Sequence, residues 1–294
     1  MSLAIDRDRF NAHFARTPFL VPHRLARHPL FELARLVELS KRLPVSQVEY
    51  NAGEVPVGLD PELTPRNGLS PEETIRRIAE CRSWLVLKHV EHDAAYRLLL
   101  DECLADVRAA SARLTAGMRG LHAFIFVSSP GAVTPYHMDP EENFLLQIRG
   151  SKTMSVFDRS DRAVVSEPDI ERFLTGAHRN LAWRDEFQKR ARSFELTPGQ
   201  AIHVPFAAPH WVQNGPEVSI SFSVTFNTRA SMHRLHAHQL NARLRHWGVA
   251  PAPVGRSALR DGLKQLVSRA SAWPGKLLAR LRPSAMRRRP AYRG

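Results

Sequence analysis

The triplet His137-Met138-Asp139 is followed, 71 residues after its aspartate, by His210 in the run Pro209-His210-Trp211-Val212. Two imidazoles and one carboxylate can occupy one face of a metal ion and leave the opposite face open, an arrangement suited to Fe(II) that must admit a co-substrate and O2. Side chains at i and i+2 of a strand project to the same face, so His137 and Asp139 are expected to point together into a barrel interior. Alone, the triplet is weak. With fourteen histidines in 294 residues, His-x-Asp arises readily by chance, and a pair of ordinary polar residues is the plain alternative.

The flanking residues sharpen the pattern. Gly131-Ala-Val-Thr-Pro-Tyr-His137 enters the triplet through a Gly/Pro turn, and Gly199 to Pro205 leads into His210 and Asn214 on a second predicted strand. Both segments look like halves of a cupin metal motif, with Ala207 where the second half usually has glycine. That replacement is sterically harmless only if the turn needs no positive φ. Lys152 follows His137 by fifteen residues and is one of only six lysines among 42 basic residues. A cation deep in a barrel can hold the distal carboxylate of a dicarboxylate whose other end chelates the metal. Three protein ligands and such a diacid leave one position for O2, which favours Fe(II) over a closed structural zinc shell.

The run Thr134-Pro-Tyr-His-Met-Asp-Pro-Glu-Glu-Asn-Phe-Leu-Leu-Gln-Ile-Arg-Gly-Ser-Lys152 resembles the JmjC/cupin-like 2-oxoglutarate oxygenases. It is most similar to the branch containing the asparaginyl hydroxylase that inhibits hypoxia-inducible factor. The resemblance extends over residues 121 to 227. It implies Fe(II) on His137, Asp139 and His210, with 2-oxoglutarate as co-substrate and O2 as oxidant, and hydroxylation of a C–H bond. It also implies that Thr134 and Lys152 bind the distal carboxylate and that Asn143 lies beside the co-substrate. Thr225 stands where that hydroxylase has an asparagine, so one co-substrate contact differs in kind.

Other residues follow by strand parity. Phe124 and Phe126 alternate before the first turn, as pocket lining or as core aromatics. Gln147 and Ser223 share parity with Asn143 and Thr225 and are weaker candidates for polar contacts. Trp211 should face away from the cavity, and His122 and His203 are expected to be satisfied core or rim histidines. A second reading is a non-catalytic metal cupin acting as a regulator or nucleic-acid binder, since clustered arginine neutralises phosphate. Lys152 speaks against it, because binding alone requires no buried ammonium group.

These residues need a scaffold that is mainly β with helical decorations: a double-stranded β-helix, or jelly roll, in which two sheets bring distant strands to one interior. Residues 122–158 and 193–227 carry the strand patterns, interrupted by helices at Pro168–Leu174 and Trp183–Arg190. The expected organisation is a helical region over 1–120 with a few strands, the core over 121–228, a helix within 229–255 and a basic tail over 256–294. Within the first region, two short helices flank a turn at Thr17–Pro22, and the Pro/Gly-rich stretch 50–68 is expected as a lid or substrate wall. Ser70-Pro71-Glu72-Glu73 is a capping box that should start a helix running to Cys81. Ser83–Val90 reads as a buried strand, and Asp93–Met118 as an amphipathic helix burying Leu98, Leu99, Cys103, Leu104 and Val107.

At 43% hydrophobic content the chain can bury a full core. No apolar run approaches the ~20 residues that span a bilayer, and the N-terminus lacks a signal-peptide pattern, so a cytoplasmic protein with free Cys81 and Cys103 is expected. The net charge of +13 is concentrated at the end, where residues 256–294 carry eleven Lys or Arg against one acid, Asp261. Leu259, Leu263, Leu266 and Val267, then Trp273, Leu277, Leu278 and Leu281, interleave with those charges at helical spacing. That pattern suits an interfacial helix on an anionic membrane surface; a solvated tail and nucleic-acid binding are the other readings. The sequence specifies neither the primary substrate nor the oligomeric state.

Overall fold

Alternation of small polar and large apolar residues builds the central strands. In Ser219-Ile-Ser-Phe-Ser-Val-Thr-Phe, one face carries Ile220, Phe222, Val224 and Phe226, and the other carries Ser219, Ser221, Ser223 and Thr225; all eight are buried. A strand buried on both faces with hydroxyls along one of them separates an apolar core from a polar interior. A computed structural model describes residues 1–60 and 65–281, with side chains as far as residue 269 in the last helix.

The elements, in chain order, are α1 (Arg7–His13), β1 (Phe19–Pro22), α2 (Leu33–Arg42), β2 (Val48–Ala52), α3 (Pro71–Arg76), β3 (Ser83–Lys88), α4 (Ala94–Ala110), α5 (Ala112–Thr115), β4 (Arg119–Ser128), β5 (Val133–His137), β6 (Glu142–Arg149), β7 (Lys152–Val156), α6 (Glu167–Leu174), β8 (Arg192–Leu196), β9 (Gln200–Val204), β10 (His210–Asn214), β11 (Ser219–Asn227), α7 (Arg229–His246) and α8 (Ala258–Leu281). All strand pairs are antiparallel, in a larger sheet of order β1-β9-β6-β11-β4-β3-β2 and a smaller one of order β5-β10-β7-β8. From β4 to β11 the chain passes repeatedly between the sheets, giving a jelly-roll core with helical decorations.

The apolar core lies outside the larger sheet. Phe144, Leu146, Ile125, Val127, Phe222 and Val224 pack in one cluster with Leu36 of α2 and with Leu100, Leu104 and Val107 of α4. Each such side chain contributes roughly 1.5–3 kcal/mol on burial, so this layer stabilises the sheet without filling the space between the sheets. Between them lies a smaller cluster of Leu145, Met154, Val156, Leu196, Ile202, Val204, Ala208 and Val212, against which Phe126 packs.

Several elements differ from the sequence expectation. Phe19–Pro22 is a strand rather than a turn; it pairs with β9 at the sheet edge, where proline is tolerated. The helix begun at Ser70 stops at Arg76, although its cap forms as expected, with Ser70 Oγ accepting from the Glu73 N–H at 3.2 Å. The long helix ends at Ala110, because Ser111 is extended and caps a separate short turn. Leu98 faces outward at 66% exposure, whereas Leu99, Cys103, Leu104 and Val107 are buried. Where Trp183–Arg190 reads as a helix, a 3-10 segment covers Asp185–Arg190.

The chain divides into two compact units, Met1–Met232 and His233–Gly294. Within the second, Asn241 and Lys264 both donate to the Ala252 carbonyl, joining the end of α7 to α8. The side chains of Trp273, Leu277, Leu278 and Leu281 and the basic residues from Lys276 onward lie outside the described side chains, as does 61–64 of the Pro/Gly-rich stretch. Among the described residues, no helix is long and apolar enough to cross a membrane.

Candidate metal centre and its cavity

His137 and His210 sit opposite each other where β5 pairs with β10, their ring centroids 4.1 Å apart. His137 Nδ1 lies 2.7 Å from the Pro135 carbonyl, and His210 Nδ1 lies 2.9 Å from the Ala208 carbonyl. A carbonyl only accepts, so each Nδ1 carries the proton and each Nε2 presents a lone pair. Both lone pairs face Asp139 Oδ2, at 3.8 Å from His137 Nε2 and 3.6 Å from His210 Nε2. Donors bound cis at ~2.1 Å to one ion stand about 3 Å apart, so a modest contraction would close the set.

The protonation states suit a cation. Burial, and then the neighbouring His210, push His137 down to about 3, and burial lowers His210 as well. Burial works to raise Asp139, but the two histidines and Arg179 outweigh it and hold the carboxyl below its usual range. Neutral imidazoles and an ionised carboxylate are the forms that bind metal.

Asp139 is not on the strand. β5 ends at His137, and Asp139 lies in the connection to β6, fixed by its own carbonyl, which accepts from the Ala207 N–H at 2.9 Å. Ala207 has φ +54°, so the turn does require the left-handed conformation that glycine adopts without strain. Two side chains brace this turn. Glu142 Oε2 lies 3.3 Å from the Phe206 N–H and 3.1 Å from His203 Nε2, while Arg159 donates to the Phe206 carbonyl at 2.7 Å. His203 is thus a core histidine paired with an acid, among the rings of Phe14, Phe19 and Phe144.

From the metal-facing row, two further rows of side chains cross the smaller sheet. Thr134, Val212 and Met154 are in register, followed by Asn214, Lys152 and Leu196. His210 and Asn214 are four residues apart on β10, about 13 Å at strand rise, a span that the lysine stem partly covers. Lys152 is 5% exposed, and its ammonium group has no partner among the described residues. Burial lowers it to about 7.

The larger sheet supplies the facing wall. Asn143 and Thr225 are direct neighbours across β6 and β11. Asn143 Oδ1 accepts from Ser223 Oγ at 2.7 Å, which commits Ser223 and leaves the Asn143 NH2 free of protein partners among the described residues. Thr225 Oγ1 is buried without a hydrogen-bond partner among the described residues. Gln147 is fully engaged: its NH2 donates to Arg149, Gly150 and Ser219, and its carbonyl accepts from Ser221. Parity therefore placed Gln147 and Ser223 on the correct face, but their polar groups are already used. Phe126 borders the cavity wall, and Phe124 packs instead near His89 at the rim, ring centroids 5.5 Å apart. Trp211 points away, donating to Gln188 at 3.0 Å.

Sequence reasoning missed a chain of charges beside the ligands. Arg179 lies 3.8 Å from Asp139 Oδ1 and 3.9 Å from Glu49 Oε1, and Glu49 Oε2 is 2.5 Å from Lys88 Nζ. Arg179 is delivered by backbone pairing along β5: Met138 N–H to the Arg179 carbonyl, and Leu181 N–H to that of Tyr136. Glu141 was also missed. Burial, with Asp139 nearby, pushes its carboxyl up to about 8. Residues 53–57 of the Pro/Gly-rich stretch run beside the strand that carries His137, the Gly53 and Val57 carbonyls accepting from the Val133 and Tyr136 N–H groups.

No protein-family model matches the chain. Among solved structures, the fold is similar to an X-ray structure of Escherichia coli YcfD, with TM-score 0.53 and 16% identity, covering 92% of this chain and 68% of that one. A further structure, of YcfD described as a ribosomal oxygenase in complex with cobalt and 2-oxoglutarate, aligns with TM-score 0.49 and 15% identity, covering 92% and 67% of the two chains. At these identities the likeness is one of fold.

Proposed function

We propose that the protein is a 2-oxoglutarate- and Fe(II)-dependent oxygenase that hydroxylates a C–H bond, related to the asparaginyl hydroxylase branch that its sequence resembles. One observation carries this reading: tautomer-locked His137 and His210 converge with Asp139, and Lys152, buried and without a partner among the described residues, stands on the neighbouring strand of the same sheet. The donor set fits Fe(II), and the ammonium group fits the distal carboxylate of a diacid. When bound, Fe(II) and 2-oxoglutarate supply oxidation of the substrate by O2, with succinate and CO2 as by-products.

The chain's own residues position and exclude. Pro135 and Ala208 carbonyls hold the imidazole rings in one tautomer, and Arg179 restrains the outer oxygen of Asp139. Lys152 and Thr134 orient the co-substrate from its far end, while the free groups of Asn143 and Thr225 face it from the larger sheet and Phe126 closes the apolar side. A protein side chain is the substrate class favoured by the resemblance. Full-length protein with Fe(II), ascorbate and 2-oxoglutarate should release succinate slowly without substrate and lose this on His137→Ala. Failure to bind 2-oxoglutarate with the metal intact would overturn the reading.

A separate observation supports a membrane-surface role for the end of the chain. On α8, Leu259, Leu263 and Leu266 are 89, 64 and 65% exposed, interleaved with Arg260, Lys264 and Arg269. Apolar side chains beside cations on one helix suit an anionic lipid interface. Co-sedimentation with phosphatidylserine vesicles should fall at least tenfold when the chain ends at Gly255; equal binding by both forms would remove this role.

A further inference from the structure

A second group of potential ligands lies outside the cavity machinery, on the turn after β3 and the start of β4. Here His122 Nδ1 is 2.8 Å from Glu91 Oε1, His89 Nδ1 is 3.3 Å from the same oxygen, and the two Nδ1 atoms are 3.2 Å apart. His122 is expected from the sequence to be a satisfied core or rim histidine, and it lies partly exposed with a hydrogen-bond partner in Glu91. We propose that His89, Glu91 and His122 form a second metal site for a borderline first-row divalent ion such as Zn(II).

Three donors in mutual contact cannot all be satisfied by protons. If both Nδ1 atoms carry hydrogen, each donates to Glu91 and the 3.2 Å nitrogen pair sets two donors face to face. If one is bare, the other carries the proton, and the bare lone pair faces the lone pairs of the ionised Glu91 Oε1. Either way one contact is unfavourable, whereas a divalent cation accepts a lone pair from all three. The separations of 2.8, 3.2 and 3.3 Å match the roughly 3–3.4 Å between donors bound at ~2.1 Å to one ion.

The surroundings have the features of a built site. Glu91 is nearly buried, and its second oxygen accepts from the Ala123 N–H at 2.8 Å, which aims Oε1 at the histidines. Such outer contacts orient metal ligands. His89 and His122 are about one-third exposed, giving an ion access from solvent and leaving coordination positions for water. His92 packs against His89 with ring centroids 5.9 Å apart, and Gln47 Nε2 lies 3.4 Å from His92 Nδ1. Two imidazoles and one carboxylate suit zinc, cobalt or nickel over calcium or magnesium.

The position ties this site to the larger sheet. His122 is paired with Thr225 on β11, and its parity with Phe124 and Phe126 places it on the interior-facing side of the sheet. An ion here would join the β3–α4 turn to β4, one strand from Thr225.

The test uses the full-length chain carrying Asp139→Ala, so that the first centre does not contribute, and follows Co(II) by calorimetry and visible d–d absorption. One tight equivalent is expected. Its affinity should fall by about 10- to 100-fold with Glu91→Gln, which keeps an acceptor for Ala123, and with His122→Ala. His89→Asn, which tolerates the left-handed backbone at φ +54°, should do the same. Absence of a tight equivalent in the Asp139→Ala protein, or an equivalent unchanged by Glu91→Gln and His89→Asn in folded protein, would overturn the proposal.

Discussion

Ala207 and Lys152 are the residues whose physical cost is most visible. Ala207 holds φ +54° in the turn that delivers His210, a conformation costing an L-residue about 1–2 kcal/mol, part of which glycine would return as chain entropy. Ala207→Gly should therefore stabilise the protein by about 0.5–1 kcal/mol, measured as a raised urea midpoint at constant slope. Lys152, lowered by burial to about 7 from 10.5, gives a pH signature. Between those values the unfolded chain binds a proton that the folded, ligand-free protein lacks, so stability rises with pH across that window and is depressed below it. If 2-oxoglutarate binds as proposed, its distal carboxylate requires the charged form, so its affinity for metal-loaded protein should fall about tenfold per pH unit above 7. Lys152→Arg should flatten that slope in calorimetric titrations; a wild-type affinity independent of pH would place the diacid elsewhere.

The strands and turns convert these side chains into a site. Gly150, between β6 and β7, has φ +64°, and a Cβ there would come within 2.4 Å of the Val218 carbonyl. Gly150→Ala should cost about 2–4 kcal/mol in denaturant unfolding and weaken co-substrate binding, since Lys152 begins the next strand. Much of this architecture was legible. The hydroxyl-bearing face of β11 follows from a period of two, whereas the place of Lys152, fifteen residues after His137, came from the family resemblance and not from periodicity. Arg179 was not legible, because it reaches Asp139 from a stretch without strand periodicity, through backbone pairing that no side-chain pattern encodes. The β1 strand was hidden by its flanking prolines, and Leu98 by two adjacent leucines that satisfy the same helical face better. The positive φ of Ala207 was raised by the glycine usual at that place, but alanine itself carries no sign of which conformation the turn takes.

At the scale of the whole molecule, the larger apolar cluster packs the helices against the larger sheet, and a smaller one lies between the sheets beside the buried polar face of β11. Three candidate ligands from two segments and a cation from a third thus come from the paired strands β5 and β10, the connection that follows β5, and their neighbour β7. Composition pointed to the basic tail but not to its use, since charge and helical spacing fit lipid, solvent and nucleic acid alike. The most direct measurement is an anaerobic titration of the Fe(II)-loaded protein with 2-oxoglutarate, following the metal-to-ligand charge-transfer absorption of the chelate. A band saturating at one equivalent is predicted for the wild type, absent in Asp139→Ala and shifted to at least tenfold higher 2-oxoglutarate in Lys152→Met. Fe(II) bound stoichiometrically with no such band, or a band indifferent to both substitutions, would contradict the assignment of this cavity.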